Sequence, residues 1–146
     1  MGFRRTAREC ALQMLFQLEF QKTRKEVPSL NAAVAKKMVP AVKVFADQLF
    51  QGVTAHQEEI DRIIKRYTQN WSTGRMAIVD RNILRFSIYE ILYLSDIPSK
   101  VTINEAIEIA KNYGNENSGA FINGILDRIQ VDFPKTASNE TARETA

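Results

Sequence analysis

Apolar residues recur at three- and four-residue spacing along nearly the whole chain, and nowhere do they alternate with period two over a useful length. An α-helix turns once per 3.6 residues, so this spacing gathers apolar side chains on one face. A half-buried strand would need strict alternation instead. The chain therefore reads as all-α. The segment ILYLSDI at 91–97 would pass for a strand in isolation, but it sits inside a longer helical pattern.

The stripes divide the chain. Ala7, Cys10 or Ala11, Met14 or Leu15, and Leu18 define a first helix over about Arg5–Phe20. QKTRKEVPSLN then reads as a loop, with Ser29 or Asn31 opening a short helix through Met38. Pro40 suits the first turn of the next helix, where its missing amide costs nothing. Val42, Phe45, Ala46, Leu49, Phe50 and Val53 form that helix's face, weakened slightly by Gly52. Thr54 and Gln57 fit a capping box ahead of the stripe Ile60, Ile63, Ile64 and Tyr67, which Asn70, Ser72 and Gly74 end. Residues 76–94 are the most apolar and predict a central helix, with Asp80, Arg81 and Arg85 toward an edge or the outside. Thr102–Tyr113 and a last helix carrying Phe121, Ile122, Ile125, Leu126 and Ile129 follow, the latter capped by Ser118. Pro134 is expected to stop the order, and the tail from Lys135 lacks large apolar residues, which predicts disorder.

At 146 residues the chain can bury a core without disulfide or structural metal. One cysteine, Cys10, excludes an internal disulfide and reads as a core residue. One histidine, His56, excludes sites needing two. His56 reads as a surface or capping residue. No stretch approaches a membrane span, and Glu9, Gln13, Gln17 and Glu19 break the apolar run that would mimic a signal peptide, so a cytoplasmic protein is expected. Glu58 and Glu59 point apart. Glu105 and Glu108 share a helix face but have no histidine partner, and read as solvated surface. Gly114, Gly119 and Gly124 form no phosphate loop. Neither catalysis nor a cofactor is expected.

The amino end carries the best chemical clue. The first 25 residues hold six basic and two acidic side chains, among them Arg4, Arg5 and Arg8 at one end of the helix and Lys22, Arg24 and Lys25 at the other. Arginines at a helix start oppose its dipole. An external anion would relieve that conflict, and phosphates suit the guanidinium fork. A plain charged helix end explains the same residues, and the charge does not distinguish RNA from DNA or an acidic protein.

The chain resembles the NusB family of bacterial transcription antitermination factors. The resemblance rests on RRTARECALQMLFQLEF and on DRNILRFSIYEILYLSDIPSKVTINEAIEIAKNYGNENSGAFINGILDRI at Asp80–Ile129, with RNILR, YEI, DIP, INEAIEIAK and FINGIL in order. It implies an all-helical bundle of six or seven helices in two small subdomains, about 1–73 and 74–131, within a domain over 1–131 and ahead of a tail at 132–146. It also implies binding of boxA RNA together with the ribosomal protein NusE, in an RNA polymerase antitermination complex that supports ribosomal RNA transcription. No enzymatic activity belongs to that role.

Residue by residue, the family's arginine-rich RNA-binding start falls on Arg4, Arg5 and Arg8. Its NusE-facing aromatic falls on Phe16, where tyrosine is common, and its acidic-basic pair on Asp80 and Arg81. The loop before the last helix, which approaches both partners, falls on Asn115, Glu116, Asn117 and Ser118. Asn117 stands where an acid is often found. Phe121 matches an aromatic near RNA and has a rival role in core packing. Asn104, Glu105 and Asn123 read first as structural, and Gly124 as allowing close helix packing. The family includes monomers and homodimers; the reading here leans to a monomer that pairs with NusE. A protein-binding structural adaptor with little RNA affinity of its own is the main alternative, and a helix-turn-helix DNA regulator is a weaker third.

Overall fold

A computed structural model describes residues 2–22, 39–69 and 76–135, with the Lys22 side chain excepted. They form six helices: α1 Gly2–Lys22, α2 Pro40–Ala55, α3 Gln57–Tyr67, α4 Ile78–Tyr93, α5 Ser99–Tyr113 and α6 Ser118–Asp132. No strand occurs among the described residues, and 91–93 close α4 as helix. The expected short helix up to Met38, the stop at Asn70–Gly74, the basic residues Arg24 and Lys25, and positions 136–146 lie outside the described residues.

The apolar pattern explains the arrangement. Ten of the 16 residues of α4 are buried, so this helix has no solvent face wide enough to lie on the surface. It touches each of the other five helices. The main core gathers Leu12 and Leu15 of α1, Val53 of α2, Ile60 and Ile64 of α3, and Ile83, Phe86 and Ile88 of α4. Ile103 and Ile109 of α5 and Ile122 and Leu126 of α6 complete it. A smaller cluster packs Ala7, Cys10 and Ala11 against Val42, Phe45, Ala46 and Leu49, with Leu94 and Ile97 beneath. Cys10 is buried as expected, and burial pushes its thiol pKa up.

Several local expectations are corrected. Arg85 and Asp80 are buried rather than at an edge. No N-cap side chain bonds the first turn of α2 to α6. Thr54 donates instead to the Gln51 carbonyl (3.1 Å), so the capping box does not form. His56 occupies the junction of α2 and α3, its ring stacked on Tyr93 at 4.2 Å. Gly52 does more than weaken α2: a Cβ there would lie 2.1 Å from the Tyr89 ring, so glycine permits the α2–α4 approach. Gly124 has nothing within 4 Å of an added Cβ and mediates no close packing. Beyond Pro134, Lys135 is buried and donates to the Glu90 and Leu94 carbonyls (2.9 and 2.8 Å), covering the end of α4.

Candidate nucleic-acid and partner interface

The start of α1 lies against the first half of α5. Gly2, Phe3, Arg4, Arg5, Arg8 and Glu9 face Val101 and Glu105 across a groove of about 680 Å³. The three arginines in this groove have three different fates. Arg4 is exposed, passes over the Phe45 ring at 5.1 Å, and among the described residues pairs only with the exposed Asp96 carboxylate, at 3.8 Å. Arg5 is half-buried and makes a bidentate pair with Glu105, Nε to Oε1 at 2.8 Å and Nη2 to Oε2 at 2.7 Å. Arg8 is 2% exposed and makes the equivalent fork to Glu90 at 2.7 and 2.9 Å. Thr102 donates to the same Glu90 carboxylate at 2.7 Å.

Arg8 therefore departs from the expected phosphate contact. Its side chain points into the molecule because α4 and α5 supply the anion and the hydroxyl that a buried guanidinium needs. Glu105 is corrected in the other direction, from solvated surface to the partner of Arg5. The Arg5 hydrogen bond holds its carboxyl below the usual range, against burial and with help from the fields of Arg5 and Arg8. In the same groove, burial pushes the Glu9 carboxyl up.

The second region is the turn between α5 and α6. Asn117 N–H donates to the Asn115 side-chain oxygen (2.8 Å), an Asx turn, and Asn115 N–H donates to Ser118 Oγ (3.0 Å). Gly114 admits this fold-back, since a Cβ there would meet Ser118 Oγ at 2.4 Å. Ser118 is the first residue of α6 and buried, so its hydroxyl braces the turn rather than facing a ligand. Glu116 and Asn117 remain exposed. Phe121 is half-buried and packs on the main core. A smaller groove beside the turn is lined by Ile107, Lys111, Glu116 and Asn123. Nine residue steps, about 14 Å of rise, separate Glu105 on α5 from Gly114 just past its end.

Of the expected partner-facing residues, Phe16, Asp80 and Arg81 lie around the start of α4, while Glu116 lies apart from them in the turn between α5 and α6. Phe16 is half-buried on α1 with its ring 4.8 Å from Phe20. Asp80 and Arg81 do not pair with each other. Arg81 binds Glu19 through Nη2 at 2.6 Å, and Arg85 Nη1 and Asn82 Nδ2 reach the same carboxylate at 2.6 and 3.0 Å. Arg85 also forks onto Asp61 at 2.9 and 3.0 Å. Burial would raise the Glu19 pKa, but the hydrogen bond and charge of Arg81, with Arg85 and Asn82, outweigh it and hold the carboxyl down. Asp80 is buried with one carboxylate oxygen lacking a partner among the described residues.

What sequence reasoning missed is the arginine pairing of Glu19, Glu90 and Glu105. Each is paired with an arginine 62 to 100 positions away, so no local spacing could have found them. Among the described residues no group of three potential metal ligands occurs, and no helix is long and apolar enough to cross a membrane.

The NusB family model matches residues 5–131. The chain is 48% identical over 139 residues to the transcription antitermination protein NusB of Myxococcus xanthus, covering 92% of this chain and 99% of that one. It is similar to the solved structure of T. maritima NusB, with a TM-score of 0.78 and 42% identity over 90% of this chain and 94% of the other. It is also similar, at TM-score 0.72 and 26% identity over 91% and 99% of the two chains, to a chain in a crystal structure of antitermination factors NusB and NusE in complex with dsRNA.

Proposed function

The chain belongs to the NusB family, and from that premise we propose that it is a non-enzymatic transcription antitermination factor that binds boxA RNA together with NusE. In this reading the pair joins an RNA polymerase complex in the cytoplasm and supports ribosomal RNA transcription. The carrying observation is the family match across 5–131. The relative seen with NusE and RNA adds support, as its fold is shared over 91% of this chain.

The groove supports the following roles on that reading. Arg4 and the outer part of Arg5 meet backbone phosphates, while Arg8 holds α1 to α4 and α5 and so positions them. Phosphate contacts orient the protein, and base edges carry the sequence. Exposed Asn115 and Asn117, with the outer edge of Phe121, offer amide and ring contacts to unstacked bases, and Ser118 shapes their turn. Phe16, Arg81 and Glu116 form the NusE side, with Asp80 beneath.

Fluorescence titration of boxA RNA with and without NusE tests the proposal. Modest affinity alone and tighter binding with NusE are expected. Equal affinity for boxA and a scrambled RNA in both conditions would sink specific recognition. The internal pairing of Arg8 and Arg5 favours a second reading, an adaptor with little RNA affinity of its own. NusE capture that survives RNase, with no RNA binding by the isolated protein, would select it. Light scattering over a concentration series tests the preference for a monomer over a homodimer.

A further inference from the structure

Charges of alternating sign run outward from the core near the start of α1. Glu90 is fully buried, Arg8 is 2% exposed, Glu105 is 21% and Arg5 is 39% exposed. Glu90 binds Arg8, Arg8 Nη1 lies 3.8 Å from Glu105, and Glu105 binds Arg5. Each inner charge is answered from its neighbours in this series. Arg5, the outermost, is hydrogen-bonded by Glu105 from within, and the carboxylates of Glu108 and Glu9 act on it through space without bonding it. Glu105 occupies the Nε–Nη2 edge of that guanidinium. A guanidinium has five N–H donors, and Nη1 of Arg5 has no partner among the described residues.

We propose that Glu105 is a positioning residue for RNA: it fixes the Arg5 guanidinium so that the outward edge receives one backbone phosphate. The inference rests on the RNA-binding reading and deepens it. Charge alone gives the opposite expectation, because Glu105 is an anion beside a polyanion and its removal would strengthen binding. Two features reverse the sign. The Glu105 charge is already neutralised by a bidentate partner, so an incoming phosphate meets an ion pair rather than a free anion. An arginine released from its fork must be ordered again when RNA binds, and ordering a long side chain weakens association by about three- to tenfold.

The test is an anisotropy titration of a labelled boxA oligoribonucleotide at several salt concentrations. The proteins are wild type, Arg4→Ala, Arg5→Ala, Glu105→Gln, Glu105→Asp, and Arg5→Ala combined with Glu105→Gln, each confirmed folded by circular dichroism. Glu105→Gln is expected to weaken binding about three- to tenfold and to flatten the salt slope by up to about 0.7, as loss of one single-strand phosphate contact does. In the Arg5→Ala background the same change should have no weakening effect, which a general structural role would not produce. Glu105→Asp keeps the charge but shortens the reach, so it should also weaken binding and decides the matter if the Gln variant does not fold. Unchanged or tighter binding by the Glu105 variants, while Arg4→Ala and Arg5→Ala weaken it, would overturn the positioning role and leave the RNA site standing. No effect from either arginine variant would overturn the RNA site itself, and the positioning role with it.

Discussion

Between Arg8 and Glu90 the protein places a full ion pair where almost no water reaches it, with Thr102 supplying a further hydrogen bond. Removing one partner of such a pair leaves a charge with nothing to answer it. Arg8→Ala should therefore destabilise the fold by about 3–5 kcal/mol, a large share of the 5–15 kcal/mol typical of a domain. Urea unfolding measures it, and a loss under about 1 kcal/mol would contradict the buried pairing. Arg8→Met with Glu90→Leu should recover part of the loss, because neither member of the pair is left without the other, while the buried Lys135 loses the field of Glu90 and keeps the recovery incomplete. At Glu19 the consequence is a pH dependence. Its folded pKa lies below the ordinary 4.5, so the fold favours the carboxylate. That contribution is complete above the ordinary value and is lost as pH falls through the lower folded value. Urea midpoints taken from pH 7 down to pH 3 should drop less steeply for Glu19→Gln than for wild type. Parallel curves would show that this carboxylate is not a source of acid sensitivity.

Two glycines in helices give opposite expectations once packing is considered. Gly52 faces Tyr89, whose ring is followed by Tyr93 at 5.4 Å and backed by His56 at 6.3 Å. An added methyl would force that aromatic stack apart, so Gly52→Ala should destabilise by about 1–3 kcal/mol. Gly124 has open space around it. Gly124→Ala should stabilise by about 0.5–1 kcal/mol through helix propensity alone. Thermal melts of the two variants should move in opposite directions. A raised melting temperature for Gly52→Ala would mean that α2 and α4 are not held as close as the Gly52–Tyr89 geometry requires. The same stack shows how a neighbour alters chemistry: the Tyr93 hydroxyl donates to Glu59, and that bond together with burial pushes the phenol up to about 12.

Across the whole molecule, α5 joins the two candidate RNA regions, with Arg5 bound near its middle and the Asn115–Ser118 turn at its end. An RNA strand lying along α5 would touch both, and a partner that orders one end would help the other. Asn117 is exposed in that turn. Asn117→Asp should weaken RNA binding if a phosphate passes close, with the effect shrinking at high salt. Because the Asn117 side chain holds no hydrogen bond in the turn, which uses its backbone N–H, stability should change little. RNA affinity equal to wild type at low salt would remove the turn from the phosphate path. The core also bears on organisation. Its main cluster takes residues from α1 to α3 and from α4 to α6 alike, so the two expected subdomains would share one interior.

The six described helices and their apolar faces were legible because they follow from spacing within one segment. Ile60, Ile63 and Ile64, or Ile122, Ile125 and Leu126, meet on one side of any helix they form, whatever surrounds it. The arginine-rich start was legible as composition, and the family from motifs in order. The fate of each charge was not. Arg4, Arg5 and Arg8 look alike in sequence, yet one is exposed, one is half-held and one is buried, because their carboxylates arrive from α4 and α5 after 80 to 100 intervening residues. Caps were misread for a related reason. Thr54 and Ser118 have the right side chains, but backbone carbonyls and a tight turn claimed them first. The spacing of apolar residues thus determined the helices and their inward faces. Only the tertiary structure decided which charged side chains were left for a ligand, since that depends on which opposite charges the packed helices bring within hydrogen-bonding distance.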